Sequence, residues 1–119
     1  MPFLTTLSTT AERGSENLIL NKPLAYHCLV NNEIYVAPAG FETNLASIPH
    51  CLRGIIDNDD PHIKDAAVIH DRLYTTCQVT RAQADAVLYR ACRTLGAGLI
   101  KAYAVYFGVR IGGKSHYEH

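Results

Sequence analysis

The chain has 119 residues, 48% of them hydrophobic, enough for one compact core and too few for two. Eleven Lys and Arg residues balance eleven Asp and Glu residues, so no global field draws the chain to nucleic acid or to an anionic membrane, and any partner is recognised locally. No stretch is apolar over the roughly 18 residues that a bilayer span needs, and no basic region followed by an apolar run opens the chain, so a soluble protein made in the cytoplasm is expected.

Residues 1 to 16 are rich in Thr and Ser and show little periodicity, which predicts a loosely held arm ahead of a single domain over residues 17 to 113. From Asn17 to Phe41 the texture changes. "NLILNKPLAYHCLVNNEIYVAPAGF" contains three short runs of Leu, Ile, Val and Tyr separated by Asn21-Lys22-Pro23 and Asn31-Asn32, the turn chemistry of a small antiparallel meander. Pro38 and Gly40 end it.

A connection follows, "ETNLASIPHCLRGIIDND", and then Asp60-Pro61, a helix start in which Asp caps free amides and Pro gives up no intrahelical bond. That helix is predicted to run to about Thr76. Thr80 and Gln83 have capping-box spacing and open a second helix that stops near Gly96. The third stretch, "GLIKAYAVYFGVRIGG", is apolar almost all round and ends at a Gly pair, so it is expected to be the most buried helix, with Tyr103, Tyr106 and Phe107 in the core. The tail, residues 114 to 119, is expected to be mobile. Strands followed by helices predict an α+β fold: an N-terminal antiparallel β-meander, a loop and three α-helices.

The four cysteines, Cys28, Cys51, Cys77 and Cys92, form no C-x-x-C pair and are read as buried thiols, with a disulfide left open.

The ionisable groups lie on the first two helices. Ile63, Ala66, Ala67, His70, Leu73 and Tyr74 share one face at three- and four-residue spacing, so His70 points inward, and Asp71 lies about 100° round at the edge of that stripe. In the second helix Ala84, Val87, Leu88, Ala91 and Leu95 form the apolar face, with Asp85 on its flank. If the helices pack antiparallel, the levels of His70 and Asp85 differ by only about 3 Å. Asp85 can then meet a nitrogen of His70, and Tyr74, one turn along, can donate its hydroxyl to the same carboxylate. A carboxylate that takes one ring N–H fixes the tautomer and leaves the other nitrogen as a base able to activate water. The same three residues also suit a satisfied polar cluster that fixes helix register.

Other candidates are weaker. Ser47 completes a Ser/His/Asp set only on paper, because "ASIP" is not a G-x-S-x-G elbow. His50, His62 and His70 with Asp57, Asp59 and Asp60 are metal-ligand types without the H-E-x-x-H spacing, and "DNDD" reads as a solvated turn.

The stretches "VAPAGFETNLASIP", "AAVIHDRLY" and "RAQADAVLYRA", with "AYAVYFGVR" following, resemble the small phage and prophage family called Domain of Unknown Function 1353. The likeness runs in order from about Tyr26 to Arg110 and implies a phage or prophage origin, synthesis in the host cytoplasm and association with the virion. Where the family pattern has Asp after F-x-T, this chain has Asn44, which cannot act as a carboxylate base and is a weaker ligand for a hard cation. The helical hairpin alone is similar to the H-D-x-x-Y and A-D elements of phospholipases A2. That likeness implies His70 as the base, Asp71 as a calcium ligand, Asp85 as the orienting group and Tyr74 as its hydrogen-bond donor. The glycine-rich calcium loop of those enzymes has no counterpart in "GFETNLASIPH".

Two functions follow as expectations. The first is a hydrolase of an ester or amide, with a host cell-envelope substrate: His70, oriented by Asp85 and Tyr74, activates water, Asn44, Ser47 and Asp71 line the site, and a divalent cation, calcium or zinc, is optional. The second is a non-catalytic module that binds phage virion or tail proteins and uses the same residues structurally. Neither involves nucleic acid or a transmembrane segment, and the oligomeric state is left open.

Overall fold

The computed structural model describes residues 3–5, 7–11, 18–28, 32–43 and 64–112. Five strands precede three helices among them: β1 (Thr9–Ala11), β2 (Leu18–Leu20), β3 (Leu24–Cys28), β4 (Glu33–Ala37), β5 (Glu42–Thr43), α1 (Lys64–Thr76), α2 (Arg81–Thr94) and α3 (Leu99–Gly112). The α+β order expected from the sequence is present.

The strand pairing differs from one continuous meander. β3 and β4 form an antiparallel hairpin with Leu24 opposite Ala37 and Cys28 opposite Glu33, whereas β2 pairs with β1 and β5 in a separate antiparallel sheet. Alternation sets the inward face of the hairpin: Leu24, Tyr26 and Cys28 from β3 and Tyr35 and Ala37 from β4 are buried. The polar spacer at residues 21–23 redirects the chain between sheets instead of closing a hairpin.

Thr9–Ala11 is a strand inside the stretch read as a loosely held arm. Polar side chains hold this region, which is why no apolar alternation announces it. Thr10 Oγ1 donates to Asn21 Oδ1, Asn21 Nδ2 donates to Ser8 Oγ, and Thr5 Oγ1 donates to the Pro23 carbonyl. Phe3 adds a ring contact with Tyr26, centroids 4.8 Å apart, and burial pushes the Tyr26 hydroxyl up to about 12.

Gly40 makes the junction between the sheets. At φ +85° it occupies the left-handed region that glycine enters without a Cβ penalty, and its amide donates to the Leu20 carbonyl at 2.7 Å. The turn then places Phe41 and Thr43 against the first helix.

α1 ends at Thr76 as expected, while its predicted start at Asp60-Pro61 lies outside the described residues. Cys77 follows at φ +53°, its amide bonded to the Leu73 carbonyl, so a cysteine occupies the left-handed cap position usually given to glycine. The Thr80/Gln83 capping box opens α2. Gly96 at φ +100° closes it, with Gly96 N–H bonded to Arg93 O and Ala97 N–H to Cys92 O, the paired bonds of a Schellman motif.

The helices are layered. α1 packs on α2 and on β3 and β4, and α3 packs chiefly on α2. The most enclosed helix is therefore α1, buried continuously from Ala66 to His70, and not α3. α3 buries Ala102, Val105 and Val109, whereas Leu99, Ile100, Tyr103, Phe107 and Ile111 are exposed. This corrects the expectation that α3 is the core helix and that Tyr103 and Phe107 are core residues; Tyr106 is half-buried. An outermost helix has a neighbour on one side only. Of the cysteines, Cys28 and Cys92 are buried free thiols, Cys77 is an exposed one, and Cys51 lies outside the described residues.

Candidate functional site

The antiparallel α1–α2 hairpin brings His70, Tyr74 and Asp85 together, as their spacing predicts. His70 Nε2 lies 2.7 Å from Asp85 Oδ1, and the Tyr74 hydroxyl donates to the same oxygen. Because an ionised carboxylate only accepts, the imidazole carries its proton on Nε2. The His70 and Tyr74 rings are 4.1 Å apart at 43°.

Two arginines complete the cluster, and the sequence reading missed both. Arg110 from the last turn of α3 donates to Asp85 Oδ2 at 3.0 Å, and Arg81, one turn before Asp85 on α2, has its nearest nitrogen 3.8 Å from that oxygen. Arg81 also donates to the carbonyls of Val109 and Arg110, capping the C-terminal end of α3. One carboxylate therefore ties all three helices. The i,i+4 pairing of Arg81 with Asp85 was a legible signal; nothing local pointed to Arg110.

Burial alone would push the Asp85 carboxyl up, but the hydrogen bonds from His70 and Tyr74, with that from Arg110, hold it below the usual carboxylate range. The Tyr74 hydroxyl is pushed well above its ordinary value by burial and by the neighbouring Asp85 charge. The His70–Asp85 pair is sealed, both residues 0% exposed, whereas the two arginines reach it from partly exposed positions.

Asp71, at the edge of the same helix, is only half-buried, and its Oδ2 accepts the hydroxyl of buried Thr43 at the end of β5. Arg72 lies with its guanidinium carbon 5.4 Å from the centre of the Phe41 ring. The turn after β4 thus clasps the edge of α1 through Phe41 and Thr43. Asn44 and Ser47, the remaining predicted site residues, lie outside the described residues, as do His50, Asp57, Asp59, Asp60 and His62.

The described residues around Asp71 show a hydroxyl partner, Thr43, and no cluster of three His, Cys, Asp or Glu side chains where a metal could sit. No helix among the described residues is long and apolar enough to cross a membrane.

A family model described as "Protein of unknown function (DUF1353)" matches residues 18–109, which include the β3–β4 hairpin, the Thr43 clasp and the His70–Asp85 cluster. The chain belongs to that family. No curated protein and no solved structure matches it. The family match covers α3 as far as Val109 and stops one residue short of Arg110, the residue that joins α3 to the cluster.

Proposed function

We propose that this protein is a non-catalytic binding or assembly module of a phage or prophage, soluble in the host cytoplasm before it joins virion or tail proteins. His70, Tyr74 and Asp85 hold its helices in register. The observation that carries this reading is the complete enclosure of the His70–Asp85 pair together with the saturation of Asp85. A general base must reach water or substrate, and at 0% exposure His70 meets neither in this conformation. Asp85 divides its charge among His70, Tyr74 and Arg110, an arrangement suited to joining helices more than to raising the basicity of one imidazole.

A second reading, a hydrolase of an ester or amide, draws on one specific feature. The His70–Asp85 bond fixes the tautomer that a histidine base needs, with half-buried Asp71 beside it and Asn44 and Ser47 following Thr43 in sequence. The two are separated by assaying ester and amide model substrates, with and without calcium or zinc, using the protein as it stands, His70→Gln and Asn44→Asp. The module reading expects background rates throughout. Turnover that His70→Gln abolishes while the fold persists would replace it with the hydrolase.

A further inference from the structure

The outward face of α3 is unusual for a small domain. Ile100 and Ile111 are 88% and 85% exposed, Phe107 is 54% exposed, and Tyr103 is also exposed. At about 100° per residue, these four positions with Ala104 lie on one stripe diametrically opposite buried Ala102, Val105 and Val109. The stripe therefore faces away from the other described elements. With Leu99 these residues expose on the order of 600 Å², the upper end of what the largest apolar patch on a monomer reaches.

The stripe continues onto α2 through ring contacts. Tyr103 and Phe107 are stacked, centroids 5.8 Å apart at 19°, and Tyr89 of α2 lies 4.9 Å from Tyr103. An open cleft of about 280 Å³ lined by Ala86, Tyr89, Arg90, Tyr103 and Tyr106 borders it. Aromatic rings held by one another supply contact area at little entropic cost on binding.

Three features select the occupant. No charged residue lies on the stripe: Lys101 and Arg110 sit about 100° round from Ile100 and Ile111, and Arg110 is already bonded to Asp85. The chain has a formal net charge of zero, so two copies do not repel as wholes. The stripe also matches itself in reverse. An antiparallel register that sets Ile100 level with Ile111 of a second α3 sets Phe107 level with Ala104, so that ring meets the level of a small residue on the same stripe.

We propose that α3 docks antiparallel against α3 of a second copy of this chain, in a two-fold interface centred between Val105 and Tyr106. The apolar stripe with the tyrosine border approaches the roughly 800 Å² per partner of a standard interface. This inference rests on the module reading and names its partner surface.

The test is sedimentation velocity on the full chain from low micromolar to several hundred micromolar, with Ile100→Glu and Ile111→Glu beside it. Both side chains are almost fully exposed, so circular dichroism and urea midpoints of dilute samples should match the parent. The expected result is a reversible monomer–dimer equilibrium that either substitution weakens at least about 100-fold. Paramagnetic labels at Ile100→Cys and Ile111→Cys, in a Cys77→Ser background, fix the register. The proposal expects the 100-to-111 distance between copies to be short and the 100-to-100 distance to be long. A parent that stays monomeric throughout, a dimer indifferent to both glutamates, or a parallel label pattern would overturn it. A monomer without turnover discards only the second copy, whereas His70-dependent turnover discards the module reading itself.

Discussion

Two faces of α3 present opposite solutions to the same problem. At its C-terminal end Arg110 reaches back to a buried carboxylate that also holds His70 and Tyr74, and every group there has a partner inside the chain. Along its outward face Ile100 and Ile111 have almost none. Polar groups sealed from water are costly unless paired, so the interior cluster commits its members to one geometry. Apolar groups in water are tolerated one by one and driven together only when a complementary surface arrives. The first arrangement specifies the fold, and the second is available for a partner.

The sharpest way to break the interior half is Asp85→Ala. It removes the acceptor that His70, Tyr74 and Arg110 share, and loss of one partner from a buried charged network costs about 3–5 kcal/mol. Urea unfolding followed by circular dichroism is expected to show a loss of that size, with α3 loosened from α2 because Arg110 has no anchor. A loss below about 1 kcal/mol would mean that the cluster does not hold the helices.

Acid probes the same group without mutation. Its folded-state pKa is depressed, so its stabilising contribution is fully present above the unfolded carboxylate value of about 3.9 and is lost as pH falls through the lower folded value. Asp65, pushed up by burial, acts in the opposite sense: its ionisation disfavours the fold as pH rises through its folded value. Stability measured below about pH 4 should therefore fall in the parent and fall less steeply in Asp85→Asn. Parallel acid profiles for the two would remove Asp85 as the cause.

His70→Ala is next in size, at about 1–3 kcal/mol, the cost of leaving a buried acceptor one donor short. It is milder than Asp85→Ala because Tyr74 and Arg110 still satisfy the carboxylate. An equal or larger loss would shift the keystone from Asp85 to His70.

Spacing alone made the His70–Asp85–Tyr74 contact legible, because a short turn and a capping box at Thr80 fix both the direction and the level of α2 against α1. Arg110 was not legible in the same way. It belongs to a third helix whose rotation is set by which small residues, Ala102, Val105 and Val109, seat on α2. The misplacement of α3 has the same root: hydrophobic content says that a helix is apolar, not that anything lies on its far side. Residues 9–11 escaped notice because Thr and Ser hydrogen bonds, not alternating apolar side chains, hold β1. Asp71 was placed at the edge of its helix correctly, but its partner Thr43 is 28 residues away and no local pattern joins them.

The smallest expected effect is the one that tests the contrast from the outside. Ile111→Ser removes an apolar side chain that is 85% exposed, so in dilute solution the urea midpoint should move by no more than the ~0.5 kcal/mol of an ordinary surface change. At several hundred micromolar the parent gains stability from association while the variant does not, because whatever binds the folded state alone stabilises it by mass action. The midpoints of the two proteins should therefore coincide at low concentration and separate as concentration rises. A gap already present in dilute solution would mean that Ile111 packs within its own chain. Coincidence at every concentration would remove the outward face of α3 from association altogether.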